Sequence, residues 1–168
     1  FALRDNTTGT QNTAVGRGAL ILNTTASYNT AVGYEAMDAT TTGFSNAALG
    51  ATALGGNTTG DGNTAVGYGS LLANTTADNN TAVGRVTLEQ NQAAGNTAVG
   101  SNALTLNTTG TRNVAVGAFT LDGCTTSSDN TAVGYQALGG SCTGVDNAAF
   151  GSGALVQCST GEENTAIG

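Results

Sequence analysis

Histidine, proline, tryptophan and lysine are all missing from these 168 residues. Without His the usual general base, the Ser-His-Asp triads and most transition-metal sites are gone. With only four Arg against eleven acids, the formal net charge is −7. No cluster of cations can displace counterions from a nucleic acid, and no basic patch can attract an anionic membrane. The acidity itself serves solubility. Aromatics are scarce, four Tyr and four Phe, so a core of large side chains cannot be built. Long apolar runs are missing too. Ala19-Leu20-Ile21-Leu22 is as long as they get, far short of the roughly 20 residues of a membrane-inserted helix. No signal peptide is visible. The chain begins with Phe1, which leads us to expect a processed product or a segment of something longer.

What is present is one word, repeated. Asn-Thr-Ala-Val-Gly stands at 12–16 and returns at 29–33, 63–67, 80–84, 96–100 and 130–134. Its glycine marks a register: Gly16, Gly33, Gly50, Gly67, Gly84, Gly100, Gly117, Gly134, Gly151 and Gly168. The interval is 17 residues, with a single 16 between Gly84 and Gly100. Such self-similarity is the mark of a repeat architecture. The Ala of the word never varies: Ala14, Ala31, Ala48, Ala65, Ala82, Ala98, Ala115, Ala132, Ala149 and Ala166. The next slot is always apolar: Val15, Val32, Leu49, Val66, Val83, Val99, Val116, Val133, Phe150 and Ile167. Four residues past each glycine comes Leu20, Met37, Leu54, Leu71, Leu88, Leu104, Leu121, Leu138 or Leu155. An Asn-Thr-Thr-Gly-like stretch follows, as at 57–60.

A unit this short cannot hold two helices and a turn, and Gly, Thr and Asn are weak helix formers. It fits two short strands and two turns, one rung of a β-solenoid. The expected fold is therefore all-β: a parallel β-solenoid, or β-roll, of about ten 17-residue rungs spanning 1–168 as one array, uncapped at both ends. Rungs lie about 4.8 Å apart, and identical residues stack, so the Asn column can form an amide ladder. The Ala, Val and Leu columns are the expected core, and the register glycines are the turn residues, free to take a tight corner. In the strand, Thr and Val share one side, Asn and Ala the other. Both sides are constrained, so one packs inside the rung and the other against something else, most simply a second copy. Open ends also invite end-to-end stacking.

The phrase Gly-x-x-Asn-Thr-Ala-Val-Gly, as at 60–67 and, with Ile for Val, at 161–168, resembles the head repeats of trimeric autotransporter adhesins. Those read roughly Gly-x-x-Ser-x-Ala-Ile-Gly. It is similar also to repeats of phage and virus fibres, which carry Asn-Thr-Ala-Val-Gly-Tyr-x-Ala-Leu phrases like residues 130–138. The resemblance covers the whole chain. It departs from the adhesin heads in length, since their units are shorter; the extra residues fall in the Leu-x-x-Asn-Thr-Thr part. It implies a left-handed roll, a trimer, and an extracellular place on a cell-surface appendage or virion fibre.

The remaining residues add less. Cys124, Cys142 and Cys158 lie in successive rungs. Cys124 and Cys158 share a column two rungs apart, too far for a bridge, whereas Cys142 can reach Cys124 or Cys158. The odd count leaves at least one thiol free or interchain. Asn6, Asn23, Asn57, Asn74, Asn79 and Asn107 each stand in Asn-x-Thr, the N-glycosylation pattern, although Asn is at home in such corners anyway. Asp61 with Asp78, and Asp129 with Asp146, share corner slots that read as solvated. Tyr34, Tyr68 and Tyr135 directly follow register glycines, as corner packing or exposed sugar platforms. No catalytic, cofactor or metal motif is found, and no enzyme is expected. The function expected is a fibre or adhesin shaft, its partners copies of itself and surface glycans, with no nucleic acid and no membrane insertion. The alternative is an ice- or surface-binding solenoid using Asn-x-Thr columns such as Asn57 with Thr59. A polysaccharide-cleaving solenoid lacks the motifs.

Overall fold

Each Thr-Ala-Val triplet, or its variant, forms a strand of three residues. In the structure, a computed structural model that describes all 168 residues, ten such strands follow one another. They are β1 (Thr13–Val15), β2 (Thr30–Val32), β3 (Ala47–Leu49), β4 (Thr64–Val66), β5 (Thr81–Val83), β6 (Thr97–Val99), β7 (Val114–Val116), β8 (Thr131–Val133), β9 (Ala148–Phe150) and β10 (Thr165–Ile167). All are parallel and pair in chain order in one sheet. The register sets like on like: Ala14 on Ala31, Ala65 on Ala82, and so on up the stack. One repeat makes one circuit, and the chain is a β-solenoid.

Each rung has one strand where two were expected. The reason lies in the backbone after the register glycine. The second and fourth residues of every rung hold positive φ, for example Glu35 (50°) and Met37 (53°), and so does the residue before each Asn, such as Ser45 (57°). These left-handed residues bend the chain too often for a second extended run. Hydrogen bonding still climbs the axis there: Leu20 N–H donates to Ala36 O (3.1 Å), Met37 N–H to Ala53 O (3.0 Å) and Leu54 N–H to Ser70 O (2.9 Å). Only 18 of 98 backbone hydrogen bonds lie within strands, so stacked turns carry most of the ladder. The whole Leu column is left-handed, from Leu20 (50°) to Leu155 (54°). Each such residue costs on the order of 1–2 kcal/mol, offset by burial of its side chain.

The register glycines sit at φ between +127° and +146° from Gly16 to Gly151. A Cβ on Gly50 would lie 2.6 Å from the carbonyl oxygen of Gly67 in the next rung, so that corner admits only glycine.

The core is narrower than expected. The Ala and Leu columns between Ala19 and Ala149, with the Ala residues just before Leu, form one cluster of 23 buried residues together with Cys124 and Cys142, while Ala14 and Leu155, expected in the core, are only partly buried against it. The Val column, assigned to the core on its apolarity, lies on the outer face instead: Val15, Leu49 and Phe150 are 57%, 52% and 39% exposed, and Val32, Val66, Val83 and Val133 are partly so. Strand alternation explains the correction. Asn and Ala point inward, where a small circuit already holds Leu and two Asn columns, and this leaves Thr and Val outside.

Candidate interaction surface

Two columns of asparagine run inside the solenoid. In the first, the Asn that opens each strand word, Oδ1 accepts from the backbone N–H of its counterpart one rung on: Asn29 Oδ1 from Asn46 N–H (2.9 Å) and Asn46 Oδ1 from Asn63 N–H (2.8 Å). Its Nδ2 donates to a carbonyl in that next rung, Asn46 to Gly60 O (2.8 Å) and Asn63 to Ala77 O (2.9 Å). In the second column, side chain meets side chain: Asn23 Nδ2 to Asn6 Oδ1 (2.7 Å), Asn74 to Asn57 (3.2 Å), Asn91 to Asn74 (3.3 Å) and Asn107 to Asn91 (2.7 Å). These ladders let a thin core hold buried polar groups without penalty.

Four buried side-chain atoms have no partner: Asn23 Oδ1, Thr40 Oγ1, Asn80 Nδ2 and Asn107 Oδ1. Each marks a break in the repeat. Thr40 replaces Asn in the second column and offers Asn23 no amide. Cys124 replaces the next Asn and leaves Asn107 likewise. Asn80 faces the 16-residue rung, where the carbonyl of the shortened corner, Ala93 O, accepts from Asn91 and Asn96 and not from Asn80.

The second column corrects the glycosylation reading. Asn23, Asn57, Asn74 and Asn107 are fully buried in it, so a glycan there is incompatible with the fold. Asn6 is partly exposed, but its Nδ2 bonds Gly9 O (3.0 Å) and its Oδ1 accepts from Asn23. Asn79 alone among the six is exposed. The ice-binding pairing of Asn57 with Thr59 falls for the same reason: Thr59 faces solvent and Asn57 does not.

Where the second column loses its Asn, a disulfide takes over. Cys124 and Cys142 are bonded with Cα atoms 4.8 Å apart. Of the two partners open to Cys142, the chain uses Cys124, and Cys158 is a partly buried free thiol. The bridge ties adjacent rungs, and the Ser127 hydroxyl donates to Cys142 Sγ (3.3 Å).

The acids are corner residues. Asp61 accepts from Phe44 N–H and Asp78 from Asp61 N–H, each at 2.8 Å. Arg4 and Arg112 bond Asp5 and Asp129 and hold those carboxyls below their ordinary range. Partial burial pushes Asp38 and Asp122 up, and the charge of Glu35 adds to this at Asp38. No three of the Cys, Asp and Glu residues group closely enough to hold a metal ion, and no pocket opens on the chain.

The chain's outer sheet face runs over all ten strands. It carries two columns, Thr13, Thr30, Ala47, Thr64, Thr81, Thr97, Val114, Thr131, Ala148 and Thr165 beside the Val column. None of the twenty residues is charged, in a chain whose corners carry acids. Residues at these positions stand in straight files about 4.8 Å apart. The Val column is apolar in every rung, and an exposed apolar strip of this kind marks an interaction site more often than a solvated wall. Apolarity in every copy announces it in the sequence; only its direction does not. No family model, curated protein or solved structure matches the chain.

Proposed function

We propose that the chain is part of an extracellular structural fibre or adhesin shaft, built from stacked rungs and held by association of identical chains, a trimer as in the adhesin heads its repeat resembles. The observation that carries this reading is the uncharged Thr/Val face, unbroken over ten strands. Covering it with copies of itself buries the second apolar column, which the single chain leaves in water. The disulfide accords with an oxidising compartment. The role is mechanical: the array projects or links other parts, and its outer corners meet partners.

Sedimentation equilibrium and negative-stain electron microscopy of the purified chain test the proposal. Trimers or filaments are expected, and Val66→Glu with Val83→Glu on the outer face should return them to monomers that keep their circular dichroism. A wild-type chain that remains monomeric at about 100-fold above a micromolar Kd, the ordinary range for a specific assembly, sinks the reading.

A second reading rests on the same face. Its Thr column, with Ala47, Val114 and Ala148 as the exceptions, runs beside the Val column at the rung spacing, which suits an ordered surface such as ice better than the buried Asn-x-Thr column does. Thermal hysteresis lost in Thr64→Lys and Thr81→Lys supports it; no hysteresis at millimolar protein rejects it.

A further inference from the structure

We propose that the residues directly following the register glycines form a platform for an extended β-linked polysaccharide of the glucan or chitin type, lying along the solenoid axis. This needs only the single chain and does not depend on the shaft reading. The column runs Arg17, Tyr34, Ala51, Tyr68, Arg85, Ser101, Ala118, Tyr135, Ser152. Its tyrosines are 45%, 59% and 52% exposed. They are exposed rather than core residues; Ala51 alone stands between Tyr34 and Tyr68, and Arg85, Ser101 and Ala118 stand between Tyr68 and Tyr135.

Their spacing carries the argument. Tyr34 and Tyr68 are two rungs apart, about 9.6 Å, close to the length of a disaccharide unit in an extended β-linked chain. Tyr135 follows four rungs later, about 19 Å on. Every interval is an even number of rungs. In a polysaccharide with two-fold twist, alternate sugars present the same face, so all three tyrosines meet equivalent faces. Ala51, Ser101 and Ala118 leave room for the sugars between. The C–H face of a pyranose packs on an aromatic ring through the same dispersion and electrostatics that favour ring contacts within proteins.

Polar groups for sugar hydroxyls flank the rings. Exposed Arg17 sits with its guanidinium carbon 5.5 Å from the Tyr34 ring centroid, which steadies that ring and puts donors beside it. The Glu35 carboxylate lies close enough to the Tyr34 phenol to raise its pKa above the ordinary value, and it supplies acceptors. Arg85 stands one rung beyond Tyr68. Two of the four arginines in the chain thus bracket the Tyr34–Ala51–Tyr68 strip. With Glu35 and Asp38 also near Tyr34, the strip carries both signs, which suits a neutral sugar chain better than an anionic one. At the C-terminal end the Phe119 ring meets Tyr135 edge-on at 6.1 Å and widens the platform there.

The test is calorimetric titration of the chain with cellohexaose and chitohexaose, with maltohexaose, whose α-linked chain curls, as the contrast. At least one β-linked hexaose should bind saturably and maltohexaose should not. Tyr34→Ala and Tyr68→Ala should each weaken binding about tenfold, and Tyr34→Phe should retain it. Ala and Ser already occupy this slot in other rungs, so the fold accepts the changes; unchanged melting temperatures verify that, and Tyr68→Ser stands in if an Ala variant fails to fold. Tyr28→Ala, an exposed tyrosine outside the column, should change nothing. The proposal is overturned by absence of binding to both β-linked hexaoses, by equal binding of maltohexaose, or by binding that survives loss of both Tyr34 and Tyr68.

Discussion

Thr40 is where the inner amide column fails, and the failure is chemical rather than steric. Its hydroxyl is buried and unbonded, and Asn23 Oδ1 below it is unbonded as well. In the neighbouring rung, Asn57 at the same slot donates to Gly60 O (3.0 Å). Thr40→Asn should therefore reach Gly43 O and Asn23 Oδ1 at once. We expect a gain of about 1–2 kcal/mol, read as a higher denaturant midpoint with unchanged m-value. Asp38 offers a pH-dependent counterpart. Burial and Glu35 raise its pKa above the ordinary carboxylate value, so the charged form is penalised in the folded chain. That penalty is complete above the folded pKa, fades as pH falls through it, and vanishes below the unfolded value. Asp38→Asn should thus raise the melting temperature at pH 7 and leave it unchanged near pH 3. At this scale the sequence was partly legible. The Asn columns announced a ladder by recurrence, and the ladder exists. Which side of the strand faced inward was not legible, because Ala and Val are both apolar. What decides is volume: the interior of one short circuit accepts Ala beside Leu and Asn, and pushes Val out.

At the scale of the rung, period and architecture followed from spacing alone, because a strict 17-residue recurrence of identical letters admits few structures. The second strand was misjudged because Leu is a poor candidate for left-handed backbone. Nothing in its chemistry says that Leu20, Leu54 and Leu71 sit at φ of 50–54°. Only the stacking of rungs imposes it, by holding the Leu side chain in the core and its N–H on the rung above. The glycines at the second position, Gly18, Gly69 and Gly153, were the available signal, since that slot is left-handed in every rung. The register glycine is a stronger constraint. Gly50 combines φ of +140° with the Gly67 carbonyl where a Cβ would be. Gly50→Ala must shift the backbone of two rungs, and we expect a loss of about 2–4 kcal/mol. Thermal unfolding of that variant beside Ala51→Gly, one residue further on and outside the clash, separates collision from simple chain flexibility.

For the whole array, stability is set by neighbours: each rung contacts only the next, as in a one-dimensional chain of coupled units. The inner amide column is continuous from Asn57 through Asn107 and is lost from Cys124 onward. The Cys124–Cys142 bridge stands at that loss and closes a loop with a sequence separation of 18. A loop of this length constrains the unfolded chain by about 3 kcal/mol. The bridge therefore does for the last rungs what the Asn column does for the middle ones. It follows that reduction should not weaken the array evenly. Hydrogen exchange of the oxidised chain should show protected amides in the stacked strands β4–β8. After reduction, amides from Cys142 through β9 and β10 should open first, while Thr64, Thr81 and Thr97, whose N–H groups donate to Asn80, Asn96 and Asn113 of the next rung, keep their protection. Uniform loss across all ten strands would mean that the solenoid unfolds as a single cooperative unit and that the bridge and the amide column are not local substitutes.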